Sequence, residues 1–291
     1  MAGSGTAPRK LMSPRKTLPY APLAYQNREF MESSVTRPLR ILAEYLDPRV
    51  RLQAEGVAET IVIFGSARIF SRQDALKKLK RAQRGRATKA KTEALRSSRT
   101  AVAMSKYYED ARELARRITE WSLTLGDRPR RFVVCSGGGP GIMEAANRGA
   151  AEAGGKSIGL GIEIPYEEQP NPYISPELNF HFHYFFMRKL WFSQLAKALV
   201  VFPGGFGTMD ELWEMLTLLQ TGKLSRHNLI LIYGRKYWNE VLNWRAMVRW
   251  GTVNERDYSL LQFADTVDDA FARLRDTMEQ HHMDINGDWG S

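Results

Sequence analysis

Cysteine is almost absent from this 291-residue sequence, which contains only Cys135. A single thiol cannot form a disulfide within the chain, so the sequence is not a small disulfide-stabilised scaffold. Long apolar runs are also missing, because no stretch approaches the roughly 20 residues that a transmembrane helix requires. We therefore expect a cytoplasmic protein that does not insert into a membrane.

Two phosphate-binding motifs are absent as well. The turn that begins at Gly137 lacks the third glycine of a G-x-G-x-x-G dinucleotide fingerprint, because Ile142 stands in its place. The pair Gly222-Lys223 lacks the upstream glycine of a P-loop and is followed by Leu224. These absences argue against a dinucleotide oxidoreductase and against a P-loop nucleotide hydrolase.

Metal and cofactor chemistry have little support in the sequence. His181 and His183 alternate on a strand-like segment and would share one face, but a third ligand is missing from the pattern. The His-Lys dipeptide that often marks a pyridoxal phosphate site is absent too. We expect neither a metal ion nor an organic cofactor. We also expect Cys135, in a predicted buried strand, to be an inert thiol.

Basic side chains are concentrated in one segment of the chain, residues 71–99. The formal net charge of the chain is +10, and eleven basic but only two acidic side chains lie in residues 71–99. Nucleic-acid sites of this kind usually add aromatic side chains that stack on bases, and this segment has none. We favour a solvated helical insertion over residues 71–104, with nucleic-acid binding through residues 71–99 as the alternative.

Short β-branched runs alternate with helical patterns along the rest of the chain. This alternation predicts an α/β fold with a doubly wound parallel sheet that is covered by helices on both faces. The predicted strands are residues 59–68, 131–135, 157–162, 198–202 and 228–233. The predicted helices are residues 107–123, 141–153, 187–197, 209–221, 238–250 and 266–280. Residues 1–40 are expected to form a flexible or surface-wrapped arm, and residues 41–291 a single domain.

Two glycine-rich turns follow predicted strands, and open α/β sheets bind ligands at the carboxyl ends of their strands. The first turn, at residues 136–144, contains three successive glycines that let backbone amides approach a phosphate or a ribose. The second turn, at residues 203–211, precedes a predicted helix. Its amides and the Thr208 hydroxyl form a nest that suits a phosphate dianion.

Thr208 also has a competing interpretation. The spacing Thr208-x-x-Glu211 is that of a capping box, in which the threonine caps the helix and the glutamate returns the hydrogen bond. A pair with this spacing is more often a helix cap than a catalytic site. The three neighbouring glycines at the end of a strand favour a site, and both interpretations stay open.

Three motifs occur together in the chain. They are the Gly137-Gly-Gly-Pro-Gly-Ile-Met143 turn, the Met187-Arg188-Lys189 triplet and Pro203-Gly-Gly-Phe-Gly-Thr-x-x-Glu211. In this combination the sequence resembles the LOG (Lonely guy) family of phosphoribohydrolases, over about residues 60–233. The resemblance implies a Rossmann-like fold, a homodimer or higher homo-oligomer, and hydrolysis of nucleoside 5′-monophosphates to free base and ribose 5-phosphate.

The resemblance also implies roles for individual residues. Arg188 and Glu211 would be the catalytic pair. The substrate and its phosphate would be bound by the residues of the two turns and by the neighbours of Arg188, namely Gly204, Gly205, Gly207, Thr208, Gly138, Gly139, Gly141, Met143, Met187 and Lys189. Ser66 and Arg68, just after the first strand, are further candidates for the phosphate end.

Two positions differ from the plant-type pattern of the family. Glu144 stands where a glycine follows the methionine, and Ala196-Lys-Ala198 replaces Ser-Asp-Ala. Together with the basic insertion, these differences favour the longer bacterial members and an AMP-like substrate over a cytokinin nucleotide.

The residue types suit the implied chemistry. Cleavage of an N-riboside passes through an oxocarbenium-like sugar, so a carboxylate near C1′ can stabilise the cation and activate water. Glu211 is the candidate for that role, and Arg188 can anchor the phosphate or position the carboxylate. The alternative is a non-catalytic protein of the same fold that senses a nucleotide. The aromatic residues in 180–192 and 238–250 are assigned to the core, with a subunit interface as the alternative.

Overall fold

The computed structural model describes residues 20–84, 88–126, 128–165 and 169–283. Residues 1–19 of the predicted arm and residues 85–87 of the predicted basic insertion lie outside the described residues. The chain divides into two units, Met1–Ala43 and Glu44–Ser291.

The described part of the first unit is largely helical. Its helices are a 3-10 turn at Ala24–Gln26, α1 at Arg28–Glu32, a second 3-10 turn at Ser34–Thr36 and the start of α2, which spans Arg37–Ala54. Arg40 donates hydrogen bonds of 2.7 Å to the carbonyl oxygens of Met31 and Ser33. These bonds connect α2 to the short helices that precede it.

The second unit is built on a seven-stranded sheet in which all described strand pairs are parallel. The strands are β1 (Thr60–Phe64), β2 (Val133–Ser136), β3 (Ser157–Ile162), β4 (Asn179–Phe182), β5 (Ala196–Val201), β6 (Leu229–Tyr233) and β7 (Leu261–Ala264). The central strands β1 and β6 are buried along their whole length, as expected for β-branched runs covered on both faces.

The order of the strands places β1 at the middle of the sheet. The order is β4-β3-β2-β1-β5-β6-β7, so the chain adds strands on one side of β1 and then crosses to the other side. Val62 of β1 pairs with Cys135 of β2 and with Leu199 of β5. The crossing makes a topological switch point at the carboxyl ends of β1 and β5, which is where open α/β sheets bind ligands.

Helices lie on both faces of this sheet. They are α3 (Arg72–Gln83), α4 (Lys89–Thr124), α5 (Ile142–Glu152), α6 (Phe185–Gln194), α7 (Phe206–Gln220), α8 (Arg235–Val241), α9 (Trp244–Arg249), α10 (Glu255–Tyr258) and α11 (Val267–His281). None of the described helices has the length and apolar character needed to cross a membrane.

The two faces of β1 contact different helices. Ile61 and Ile63 belong to a buried cluster that includes apolar residues of α4, α5 and α11. Phe64 points to the opposite face, where its ring packs edge-on against Phe192 of α6 at a centroid distance of 4.7 Å. The parallel sheet with helices on both faces confirms the predicted fold class.

The basic insertion corrects one predicted boundary. The sequence predicted separate helices in residues 71–104 and then a helix from residue 107, but α4 runs without a break from Lys89 to Thr124. No glycine or proline interrupts this stretch, so the backbone has no reason to leave the helix. The insertion is therefore α3 together with the first half of a core helix.

One further prediction at the end of the chain was wrong, and one strand was missed. The helix predicted over residues 238–250 is two helices, α8 and α9, because the chain becomes extended at Leu242 and Asn243 caps α9 by accepting a hydrogen bond from the Ala246 amide. The short strand β7 was not predicted. The other predicted strands are present, with ends shifted by a few residues.

The turn into α5 generates a prediction about stability. Gly141 has a φ of +72°, and a Cβ there would collide with the backbone of Ser66 and Ala67. We expect Gly141→Ala to lower the free energy of unfolding by about 1–3 kcal/mol for the backbone conformation, because a φ of +72° with a ψ of −129° is readily adopted only by glycine, and by about 1–3 kcal/mol more for the collision. Urea denaturation measures the loss.

Gly154→Ala is the matched control. Gly154 has a φ of +76°, but a Cβ there would have no neighbour within 4 Å. It should lose only the conformational contribution. Equal losses in the two variants would contradict a steric role for the close approach at Gly141.

Candidate active site

Three turns meet at the switch point of the sheet. The Phe202 amide donates to the Phe64 carbonyl at 2.8 Å, and the Ser66 amide donates to the Pro203 carbonyl at 3.0 Å. The Ile142 amide at the start of α5 donates to the Ser66 carbonyl at 3.2 Å. The turns after β1, β2 and β5 are thus held together by backbone hydrogen bonds, and both predicted glycine turns lie at the same edge.

The second glycine turn is fixed from two sides. Gly204 packs so closely on the Thr208 side chain that no larger residue fits there. Its carbonyl oxygen accepts a hydrogen bond of 2.8 Å from the Tyr237 hydroxyl. Gly205 precedes the first residue of α7, so the free amides of that helix point toward the space beside the turn.

The capping-box interpretation of Thr208 was wrong. Helix α7 begins at Phe206, with Gly205 as its N-cap, so Thr208 is already the third helical residue. The Glu211 side chain does not return to the helix start. It is directed at Arg188 on α6 instead, as the alternative interpretation required.

Arg188 and Glu211 form an ion pair that is nearly buried. Arg188 Nη2 donates to Glu211 Oε1 at 2.8 Å, and each side chain is only 11% exposed. The guanidinium carbon lies 5.3 Å from the centre of the Phe185 ring and 5.5 Å from that of Phe192. Arg188 Nε is buried and has no hydrogen-bond partner among the described residues. One donor of the guanidinium is therefore buried and unsatisfied.

The surroundings of Glu211 change its acidity. Burial raises the pKa of the Glu211 carboxyl to about 7, although the positive charge of Arg188 acts in the opposite direction. A carboxyl with a pKa near 7 can exchange a proton at physiological pH. Cys135 is buried nearby, and both burial and the charge of Glu211 raise the pKa of its thiol. The thiol is therefore protonated and inert, as expected.

The first glycine turn borders a cavity of about 590 Å³. Gly138, Gly139, Met143 and Arg188 all line it, together with residues of β3 and β4. The structure thus brings the predicted turn and one member of the predicted pair to the same space. The volume is in the range of small-molecule sites.

A buried polar network that the sequence did not reveal holds this turn in place. Ser136 Oγ donates to Asn147 Oδ1 at 2.7 Å, and Asn171 Nδ2 donates to the Gly138 carbonyl at 3.0 Å. Asn171 Nδ2 also lies 2.9 Å from Asn147 Oδ1. Isolated asparagines carry no sequence signal of this kind, because their partners are distant in the chain.

The second glycine turn borders another cavity, of about 610 Å³. Ser66, Arg68, Gly204 and Gly205 line it on one side. The structure therefore groups the predicted candidates for the phosphate end. The other lining residues come mainly from α3 and α4.

Other predicted site residues line neither of these two cavities, and Glu211 and Thr208 are among them. Met187 is buried, and Lys189 Nζ pairs with Asp210 at 2.8 Å and with Glu214 at 3.1 Å, so it connects α6 to α7. Gly141 is the N-cap of α5, and Gly207 lies in the first turn of α7.

His183 and Glu144 both have local partners. His183 Nδ1 lies 2.5 Å from Glu163 Oε2, and the described residues contain no group of three or more metal-ligating side chains. Glu144 accepts a hydrogen bond of 2.6 Å from the Tyr108 hydroxyl. The glutamate that departs from the plant-type pattern thus connects α5 to α4.

Comparison with known proteins supports the resemblance. Residues 143–274 match the family described as "Possible lysine decarboxylase". The chain is also 32% identical over 103 residues to a pyrimidine/purine nucleotide 5′-monophosphate nucleosidase of Escherichia coli K12. That match covers 31% of this chain and 21% of the relative's length. These findings confirm the similarity to the LOG family, whose members were long labelled lysine decarboxylases.

Solved structures with a similar arrangement include two molybdenum cofactor proteins. The molybdenum cofactor binding protein of Rippkaea orientalis is 13% identical, with a TM-score of 0.45, and the match covers 76% of this chain and 98% of the other. The Moco carrier protein of Chlamydomonas reinhardtii is 17% identical, with a TM-score of 0.43 and the same two coverages.

The ion pair generates a prediction about acidity. We expect Arg188→Ala to raise the pKa of Glu211 by about one pH unit or more, because the carboxyl stays buried and loses its nearest positive charge. A pH titration of the Glu211 carboxyl ¹³C resonance measures the change. Lys189→Ala is the control and should produce a smaller rise, because the charge of Lys189 has a weaker influence on this carboxyl. An unchanged or lower pKa in Arg188→Ala would refute the assigned coupling.

Proposed function

We propose that this protein hydrolyses the N-glycosidic bond of nucleoside 5′-monophosphates and releases the free base and ribose 5-phosphate. The observation that carries the proposal is the nearly buried Arg188–Glu211 pair, because Arg188 lines the cavity beside the first glycine turn and Glu211 lies on the helix that follows the second. The similarity to a nucleotide 5′-monophosphate nucleosidase over 103 residues supports the same activity.

In this proposal the substrate spans the edge of the sheet. Its phosphate lies against the amides at Gly204, Gly205 and the start of α7, where an anion interacts favourably with the helix. The ribose and base lie beside Gly138, Gly139 and Met143, in the 590 Å³ cavity that Arg188 also lines. The glycosidic bond is then near the ion pair.

Glu211 is the residue that we assign to the chemical step. As the C1′–N bond breaks, positive charge develops on the ribose ring, and an ionised carboxylate close to C1′ stabilises it. The same carboxylate accepts a proton from the attacking water, whose oxygen bonds to C1′, while the base leaves with the bonding electron pair and is then protonated. Arg188 holds the carboxylate in position through its Nη2, and its side chain also lines the cavity that receives the ribose and base.

The substrate class follows from the same arrangement. We propose nucleoside 5′-monophosphates as the substrates, because the second glycine turn and the 590 Å³ cavity are both needed to place the bond at Glu211. The departures from the plant-type pattern at Glu144 and at Ala196-Lys-Ala198 favour AMP-like members of this class. Nucleosides without the phosphate should react poorly, since the energy of phosphate binding positions the reacting bond.

Chromatographic detection of free base tests the proposed activity. The purified protein should release base from AMP or a related 5′-monophosphate and should release little from the matching nucleoside. Glu211→Gln and Arg188→Ala should each lower kcat by about 10²–10⁴-fold. Circular dichroism checks that the variants fold. Binding of nucleotides without release of any base would instead support the nucleotide-sensing alternative.

The acidity of Glu211 predicts how the reaction depends on pH. Because the carboxylate is the active form and its pKa is about 7, kcat/KM should fall as the pH drops below about 7. The fall should approach tenfold per pH unit in acid, and the rate should level off above the pKa. A rate that is flat from pH 5 to 8, with the fold intact, would argue against Glu211 as the base.

A further inference from the structure

The cavity beside the phosphate turn is larger than a single phosphate group requires. Its volume is about 610 Å³, and Gly204 and Gly205 form only one of its walls. The basic helices also line it, with Lys78 from α3 and Arg96 and Thr100 from α4. The insertion therefore contributes side chains to the same space as the phosphate turn.

This cavity is positively charged. Arg68, Lys78 and Arg96 line it, and Glu93 is its only acidic lining residue among the described residues. In the described part of the chain, none of the three cations forms an ion pair with a carboxylate. Lys78 Nζ instead lies 4.8 Å from the centre of the Phe70 ring. These charges are available to an anion.

The helices that carry the cations are well anchored. Ser71 caps α3 by accepting a hydrogen bond of 3.1 Å from the Asp74 amide, and the Arg72 amide donates to Glu109 of α4 at 2.9 Å. Ala75 of α3 and Ser98 of α4 are buried, and such small residues allow helices to approach closely. The basic wall is thus a fixed part of the second unit.

We propose that Lys78 and Arg96, together with Arg68, form a subsite for a second phosphoryl group, so that the protein binds nucleoside 5′-diphosphates and triphosphates more tightly than monophosphates. The inference rests on the proposed function in one respect, which is that the first phosphate lies at Gly204 and Gly205. The amides of that turn complete the first phosphate's contacts. Arg68, Lys78 and Arg96, which line the same cavity, then bind the next phosphoryl group of the nucleotide.

Inorganic phosphate and pyrophosphate are suitable probes, because neither has a glycosidic bond that the protein could cleave. Isothermal titration calorimetry at constant ionic strength should show that pyrophosphate binds the wild-type protein at least about tenfold more tightly than phosphate. The double variant Lys78→Ala/Arg96→Ala should lose this preference and keep its affinity for phosphate within about twofold.

Lys80→Ala/Arg99→Ala is the matched control, because it removes the same two charges from exposed positions of the same helices outside the cavity. This variant should keep the preference for pyrophosphate. An equal loss in both double variants would show a general effect of charge and would overturn the subsite. Equal affinities of the wild-type protein for the two probes would overturn it as well.

The two proposals fail in different ways. A preference for pyrophosphate that depends on Lys78 and Arg96, without base release from any nucleotide, would support the subsite and refute the nucleosidase activity. Base release from AMP without that preference would do the reverse. Thermal unfolding of each variant shows whether a loss of binding reflects a loss of structure.

Discussion

The site depends on one steric constraint, which is the close approach of α5 to the end of β1. A Cβ at Gly65 would lie 2.7 Å from Ile142, and one at Gly141 would collide with the backbone of Ser66. Because these two glycines have no side chains, the Ile142 amide after β2 reaches the Ser66 carbonyl after β1. The Ser66 amide in turn donates to the Pro203 carbonyl after β5. The two cavities and the ion pair between α6 and α7 are arranged around this contact.

Two nearly buried ion pairs in this fold each leave one polar atom without a hydrogen-bond partner among the described residues. Arg131 pairs with Glu59 at 2.8 Å and also donates to the carbonyl oxygens of His282 and Met283, so its guanidinium is occupied by the chain itself. Arg188 pairs with Glu211, but its Nε has no acceptor among the described residues. Burying a charged group with an unused donor is costly. The Arg131–Glu59 pair carries the same kind of cost, because Glu59 Oε1 is also buried without a partner among the described residues.

The sequence predicted the sheet and the position of the glycine turns, because β-branched runs and glycine clusters are local signals. It could not separate a helix cap from a site at Thr208, since that choice depends on where α7 begins and on Arg188, which is 23 residues distant from Glu211. The asparagine network around Ser136 was missed for the same reason, as its partners come from three separate segments. The cationic cavity was missed because a solvated insertion was predicted for the basic segment. Only the fold brings Arg96 to the cavity beside Gly204 and Gly205.

The unbroken helix α4 has a mechanical consequence. Its 36 residues extend about 54 Å at 1.5 Å per residue. The second half is rooted in the core through Ala111, Leu114 and Ile118, while the first half forms the wall that carries Arg96. One uninterrupted helix therefore connects the hydrophobic core to the cavity that Arg96 lines. Because the first half is itself packed through the buried Ser98, a change of packing around the second half would be transmitted along the helix to the residues that line the cavity.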